Sequence, residues 1–190
     1  IGSMTQSSML HVKKGIVDVS RVKTVMSLLQ TTSPSYVLLA SLDVARKQMV
    51  IEGKKLLDNT IELANYARNK INNIEGYYCF GNEVLLKKGA YGFDPTKVTI
   101  TCKDLGLSGY ELERILAEKY HIQAEMSDLY NVLCVFSLGD SKESVDALIN
   151  ALREISEQQC CSVRRKIEII DVPKIPEQIL SPKDAFNSMS

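Results

Sequence analysis

The sequence predicts an α/β protein in which one very long helix precedes a small two-layer unit of order β-α-β-β-α. Three observations carry this. Leu42, Ala45, Met49, Leu56, Leu57, Ala64, Ala67, Ile71 and Ile74 recur at three- and four-residue spacing, the signature of one helical face. Val98, Ile100 and Cys102 alternate with Thr99 and Thr101, as a half-buried strand does. Ser108-Gly109-Tyr110-Glu111 has the form of a capping box ahead of Leu112, Ile115 and Leu116.

The elements follow in order. Met9 to Val12 reads as a short strand running into the turn at Lys13-Lys14-Gly15. Asp18 offers an N-cap to a helix with Val22, Val25, Met26 and Leu29 on one face. Ser33-Pro34 marks the start of the long helix, because Pro suits a first helical turn and Ser33 can cap the free N–H groups behind it. From Pro34 to Ile74 that helix would be about 60 Å long, against a radius of gyration of about 16 Å for a compact chain of this length. It therefore protrudes, bends at its one interior glycine, Gly53, or is covered by something else. Beyond Gly76 the elements shorten. Ile122, Ala124 and Met126 alternate as a second strand, Ser127 to Asn131 turn, and Val132 to Phe136 form a more continuous, buried strand. Gly139-Asp140 opens a last helix carrying Val145, Leu148, Ile149, Leu152 and Ile155 on one face. Residues 160–190 read as connector, with a strand candidate at Ile167 to Ile170.

Composition excludes several classes. The chain has 190 residues, 45% hydrophobic and 24% charged, which is neither a disordered nor a collagenous profile. Its 23 basic residues balance 23 acidic ones, so no overall field draws it to nucleic acid or to an anionic membrane. The apolar runs fall far short of the roughly 20 residues of a membrane helix. No secretory signal precedes the first elements, and the five cysteines lack metal-type spacing, so they read as reduced thiols of a cytoplasmic protein, Cys102 and Cys134 as small core hydrophobes. His11 and His121 are too far apart for a local zinc site.

Two clusters could carry chemistry. Thr31-Thr32-Ser33 places three hydroxyls before a helix start, where free N–H groups and the helix dipole favour a phosphate; ordinary capping is the alternative. Glu125 and Asp128 flank the turn between two strands and could face a cationic ligand, or be solvated turn residues. Asp94-Pro95-Thr96-Lys97 is explained as a turn. No nucleophile triad, glycine-rich phosphate loop or metal-binding run is present.

At Thr5-Gln6-Ser7-Ser8-Met9-Leu10-His11-Val12, and again at Thr31-Thr32-Ser33-Pro34-Ser35-Tyr36 with Ala40-Ser41-Leu42-Asp43, the sequence resembles the ornithine/lysine/arginine decarboxylases of the aspartate-aminotransferase fold, which depend on pyridoxal phosphate. Asp94-Pro95-Thr96-Lys97-Val98-Thr99-Ile100, Gly106-Leu107-Ser108-Gly109, Asn131-Val132-Leu133 with Ser137-Leu138-Gly139, and Leu180 to Phe186 continue it over essentially the whole chain.

The resemblance implies the end of a fold-type I large domain and a connecting helix in residues 1–75, a small α/β domain in 76–158, and the approach to a C-terminal domain in 159–190. It implies pyridoxal 5'-phosphate as cofactor and a basic amino acid as substrate. The Schiff-base lysine is expected two residues before Ile1, so no catalytic residue is assigned within the chain, which by itself is expected to be inactive. Thr31, with Thr32 and Ser33, matches the segment that reaches across a homodimer to the partner's cofactor phosphate, Ser33 serving mainly as cap. The acidic candidates for the substrate's cation are Glu125 and Asp128. The competing expectation is a non-catalytic binding or assembly module derived from the same family.

Overall fold

The structure is a computed structural model that describes residues 2–4, 8–13, 15–30, 33–160 and 173–188. Helix α1 spans Val19–Leu29, and the Asp18 carboxylate accepts from Ser20 N at 2.9 Å as its cap. None of its residues is buried. Helix α2 spans Tyr36–Ile71, 36 residues or about 54 Å. Its N-cap is Ser35, and not Ser33 as the sequence suggests. The helix runs unbroken through Gly53. A Cβ there would sit 3.1 Å from Met49 Cε, so the glycine admits the Met49 side chain.

The expected strand at residues 9–12 has no regular structure. A strand needs a neighbour to take its backbone hydrogen bonds, and among the described residues none lies beside it. The other three strands form: β1 (Lys97–Thr101), β2 (Met126–Ser127) and β3 (Asn131–Val135). They pair antiparallel in the order β1-β3-β2, with Lys97 opposite Val135 and Thr101 opposite Asn131. Strand β2 is shorter than the alternation from Ile122 suggests, pairing only Met126 with Leu133 and Ser127 with Val132. Tyr78 adds a single antiparallel bridge on the outer side of β1.

Helices α3 (Gly109–Tyr120) and α4 (Lys142–Cys160) complete the β-α-β-β-α order. Val98 and Ile100 of β1 and Val132 and Cys134 of β3 are buried against Leu112 and Leu116 of α3, Leu148, Leu152 and Ile155 of α4, and Ala64, Ala67 and Ile71 of α2. The last turns of the long helix thus belong to the same core as the sheet. Polar ties reinforce the helix pair. Tyr66 donates to Asp146 at 2.8 Å, and Ser156 donates to the Glu75 carbonyl at 2.8 Å.

The β2–β3 turn is locked onto the start of α3. Ser108 and Glu111 form the reciprocal capping box expected from sequence. Gly109 N–H donates to Leu129 O at 3.2 Å, and a Cβ on Gly109 would lie 2.1 Å from Asn131 O. Only glycine allows that approach. Gly76 serves likewise after α2, with φ +89° and a Cβ position 2.2 Å from Leu105. The strand candidate at 167–170 lies outside the described residues. The stretch read as connector contains a short helix, α5 (Pro182–Asn187), capped by Ser181 with Pro at its first turn. Among the described residues no helix is long and apolar enough to cross a membrane.

Candidate active site

Gly2 and Met4 lie along the first third of α2. Met4 N–H donates to Ser41 Oγ at 3.1 Å, and the Cβ position of Gly2 is 3.4 Å from Gln48 Oε1 and 3.9 Å from Ala45. Gly2 also borders a cleft of about 410 Å³ whose other walls come from Leu57 and Thr60 of α2, Asp94, Thr96 and Lys97 at the head of β1, and Phe136 to Gly139 beyond β3. The cleft sits where the long helix meets one end of the sheet.

Its walls are fixed by local hydrogen bonds. Buried Thr60 donates to Leu56 O at 2.9 Å and lies 3.4 Å from Ser137 O. Asp140 accepts from Ser137 N at 2.6 Å and from Ser137 Oγ at 3.0 Å, which closes the turn after β3. Asp94 accepts from Thr96 Oγ1 at 2.7 Å and from Thr96 N at 3.0 Å. Those bonds hold the Asp94 carboxyl below its ordinary value, so it stays ionised. The cleft therefore presents a carboxylate, an ammonium at Lys97 and hydroxyls at Thr60, Thr96 and Ser137, over an apolar floor of Leu57, Phe136 and Leu138. Such a mixture suits a small zwitterion with an aliphatic stem.

Behind this wall is Arg68, 5% exposed. Its guanidinium donates to Phe80 O at 2.9 Å, Asn65 Oδ1 at 3.0 Å, Pro95 O at 3.1 Å and Lys97 O at 3.3 Å. It also stacks over Phe93, 5.2 Å from the ring centroid. Burial lowers its pKa, opposed by the nearby Cys79 and Glu83. Sequence reasoning missed Arg68 and Thr60. The available signal was their spacing with Ala64 and Ile71 on one helical face, which places a polar and a charged residue inside the core stripe.

The residues predicted from sequence lie elsewhere. Thr31 and Thr32 are outside the described residues. Ser33 is exposed, two residues before the N-cap of α2. The first intrahelical bond there is Leu39 N to Ser35 O, and the Ser35 side chain makes no cap bond. Glu125 is exposed beside β3, its N–H donating to Leu133 O at 2.9 Å. Asp128 holds the β2–β3 turn, its carboxylate accepting from Tyr130 N and Asn131 N, both at 2.8 Å, and from the Asn131 amide. Burial pushes its carboxyl upward, but the bonds from Asn131 and Tyr130 outweigh this and hold it below the ordinary value. The turn lies at the Asn131 end of the sheet and the cleft at the Val135 end, about 13 Å along the strand. The structure does not bring these two acidic residues into the cleft. Among the described residues no group of His, Cys, Asp or Glu could hold a metal ion.

Residues 1–144 match the family model described as the Orn/Lys/Arg decarboxylase major domain. The chain belongs to the Orn/Lys/Arg decarboxylase family. Within it, this chain is 48% identical over 187 residues to an arginine decarboxylase of Bacillus subtilis, covering 97% of the chain and 38% of that protein. It is 29% identical to the lysine decarboxylase LdcA of Pseudomonas aeruginosa, covering 81% of the chain and 26% of that protein. The crystal structure of the Francisella novicida lysine decarboxylase LdcF superposes with a TM-score of 0.68 at 27% identity, over 82% of this chain and 26% of that one. The chain spans about two fifths of the length of the arginine decarboxylases it matches.

Proposed function

We propose that the chain is part of a pyridoxal-phosphate-dependent decarboxylase acting on arginine. The observation that carries this is the match to arginine decarboxylases over 97% of the chain at 48% identity, well above the 29% shared with a lysine decarboxylase. In this reading residues 1–75 end a fold-type I large domain and its connecting helix, 76–158 form the small domain, and 159–190 lead toward a C-terminal domain.

The bound cofactor would supply an electron sink for the carbanion left when carbon dioxide departs. Its phosphate would be taken by Thr31, Thr32 and Ser33 of a partner subunit in a homodimer, as the resemblance implies. Two observations support that reading, the exposed Ser33 and the start of α2, where the Ser35 side chain makes no cap bond. The cleft beside Gly2 would hold the substrate, because Gly2 follows closely on the position where the resemblance expects the lysine. Leu57, Phe136 and Leu138 would enclose the aliphatic stem and exclude water, while Asp94 and Lys97 would supply charges of both signs. Glu125 and Asp128 remain proposed as acidic contributors from beyond the cleft.

The test is to express the full polypeptide that carries these residues, supply pyridoxal phosphate, and measure carbon dioxide release from arginine, lysine and ornithine. Release from arginine at the highest kcat/KM is expected. Release from none of the three, with no bound cofactor, would instead identify a non-catalytic module.

A further inference from the structure

We infer that Arg68 is a positioning residue for the substrate cleft, acting through the backbone of the loop that forms one cleft wall. This rests on the reading of the cleft as the substrate site.

A buried guanidinium is costly unless its donors are met. Arg68 meets them almost entirely with main-chain carbonyls. Phe80 O, Pro95 O and Lys97 O each accept one bond, and the Asn65 amide accepts a fourth. No Asp or Glu forms an ion pair with it among the described residues. The carbonyls it collects flank both ends of the loop from residue 80 to 97, and Phe93 within that loop lies against the guanidinium plane. The loop has little regular structure of its own beyond a 3-10 turn at Asn82–Leu86, so it owes its course to such contacts. Asp94, Thr96 and Lys97, the three residues it gives to the cleft, alternate with or adjoin the anchored positions 93, 95 and 97. A fixed fork of donors is suited to this and a single ammonium is not, because three different nitrogens serve separate segments, Nε to Phe80 O, Nη1 to Asn65 Oδ1 and Nη2 to Pro95 O and Lys97 O. Arg68 itself does not line the cleft. Its effect on substrate passes through where Asp94 and Lys97 are held.

The experiment compares wild type with Arg68→Lys, Arg68→Ala and Phe93→Leu in the full polypeptide with pyridoxal phosphate. We expect Arg68→Lys to raise the KM for arginine at least tenfold while kcat falls less. Millimolar guanidinium ion should restore the KM of Arg68→Ala toward wild type, a rescue that a general loss of stability would not show. Phe93→Leu, which keeps the hydrogen bonds, should raise KM about threefold, and it keeps the inference testable should the Arg68 variants fail to fold. An active wild type with KM unmoved in every folded variant overturns this inference alone. A wild type inactive on arginine, lysine and ornithine overturns the proposed function, and this inference with it.

Discussion

Residues 15–58 and residues 60–160 follow the same rules of helical periodicity but meet very different fates. In the second region the apolar faces of α3 and α4 and the end of α2 are buried together with the sheet, and Leu112, Leu116 and Leu152 are inaccessible to solvent. In the first, Val25, Leu28 and Leu29 of α1 and Val37, Val44, Val50 and Ile51 of α2 are exposed, Leu28 to 81%. An apolar groove of about 490 Å³ runs along α1 between Leu10, Val17, Val22 and Met26. An amphipathic pattern states that a face is to be covered; it does not name the cover. In the second region the cover is close in sequence and present. For the first, the proposed large domain is the natural candidate, and the arginine decarboxylase relatives are longer than this chain by more than half of their length.

The contrast can be probed by truncating one residue in each region. Leu116→Ala leaves a cavity in a closed core and should cost about 2–5 kcal/mol, whereas Leu29→Ala should change stability by less than about 0.5 kcal/mol. Urea unfolding of the two variants measures both, and equal losses would show that the exposed face is buried in solution.

Gly109→Ala asks whether the second region is as closely interlocked as its geometry requires. The new Cβ would meet two backbone oxygens of the β2–β3 turn, and a loss of about 1–3 kcal/mol is expected from overpacking alone. Retained stability would mean that the turn can lift away from α3.

Tyr77→Phe probes an unpartnered polar group in that core. The Tyr77 hydroxyl is buried without a hydrogen-bond partner among the described residues, and burial raises its pKa. Removing it should raise stability by about 1 kcal/mol, read from the shift of the denaturant midpoint.

The smallest effect concerns the thiols. Burial pushes Cys79, Cys102 and Cys134 up to about 12, from an ordinary value of 9.0. Their folded-state pKa is raised, so the stability tied to the neutral thiols is complete below pH 9 and declines as the pH rises toward 12. Alkylation at pH 8, mapped by mass spectrometry, should leave these three unmodified in the native protein and label them on unfolding. Native labelling of Cys102 or Cys134 would place the opening of the sheet within easy thermal reach.

Much of the architecture was legible because it is local. The capping box at Ser108, the cap at Asp18 and the alternation of Val98 to Cys102 each involve residues within a few positions of one another, and each forms as expected. The two strand misreadings share a cause. Residues 9–12 alternate well enough for a strand but lack a neighbour to pair with, and Ile122 to Ala124 continue a pattern that the ladder stops using after Glu125. Ser33 has the right chemistry for a cap, yet the helix starts at Tyr36 with Ser35 as its N-cap. The cleft was less legible still. Asp94 to Lys97 look like a plain turn until α2 and the end of β3 are placed beside them.

The sequence by itself determined helices α1 to α4 and strands β1 and β3, and the need for something to cover the first half of α2, since periodicity and capping depend only on neighbouring residues, and its motifs carried the family. Only the tertiary structure decided that Gly2 borders the head of β1 and that Arg68 anchors the wall between them. It also separated the acidic turn at Asp128 from the cleft by most of a strand. Those facts depend on residues tens of positions apart being held a few ångströms from one another, and it is the close packing of helix on sheet that sets such distances.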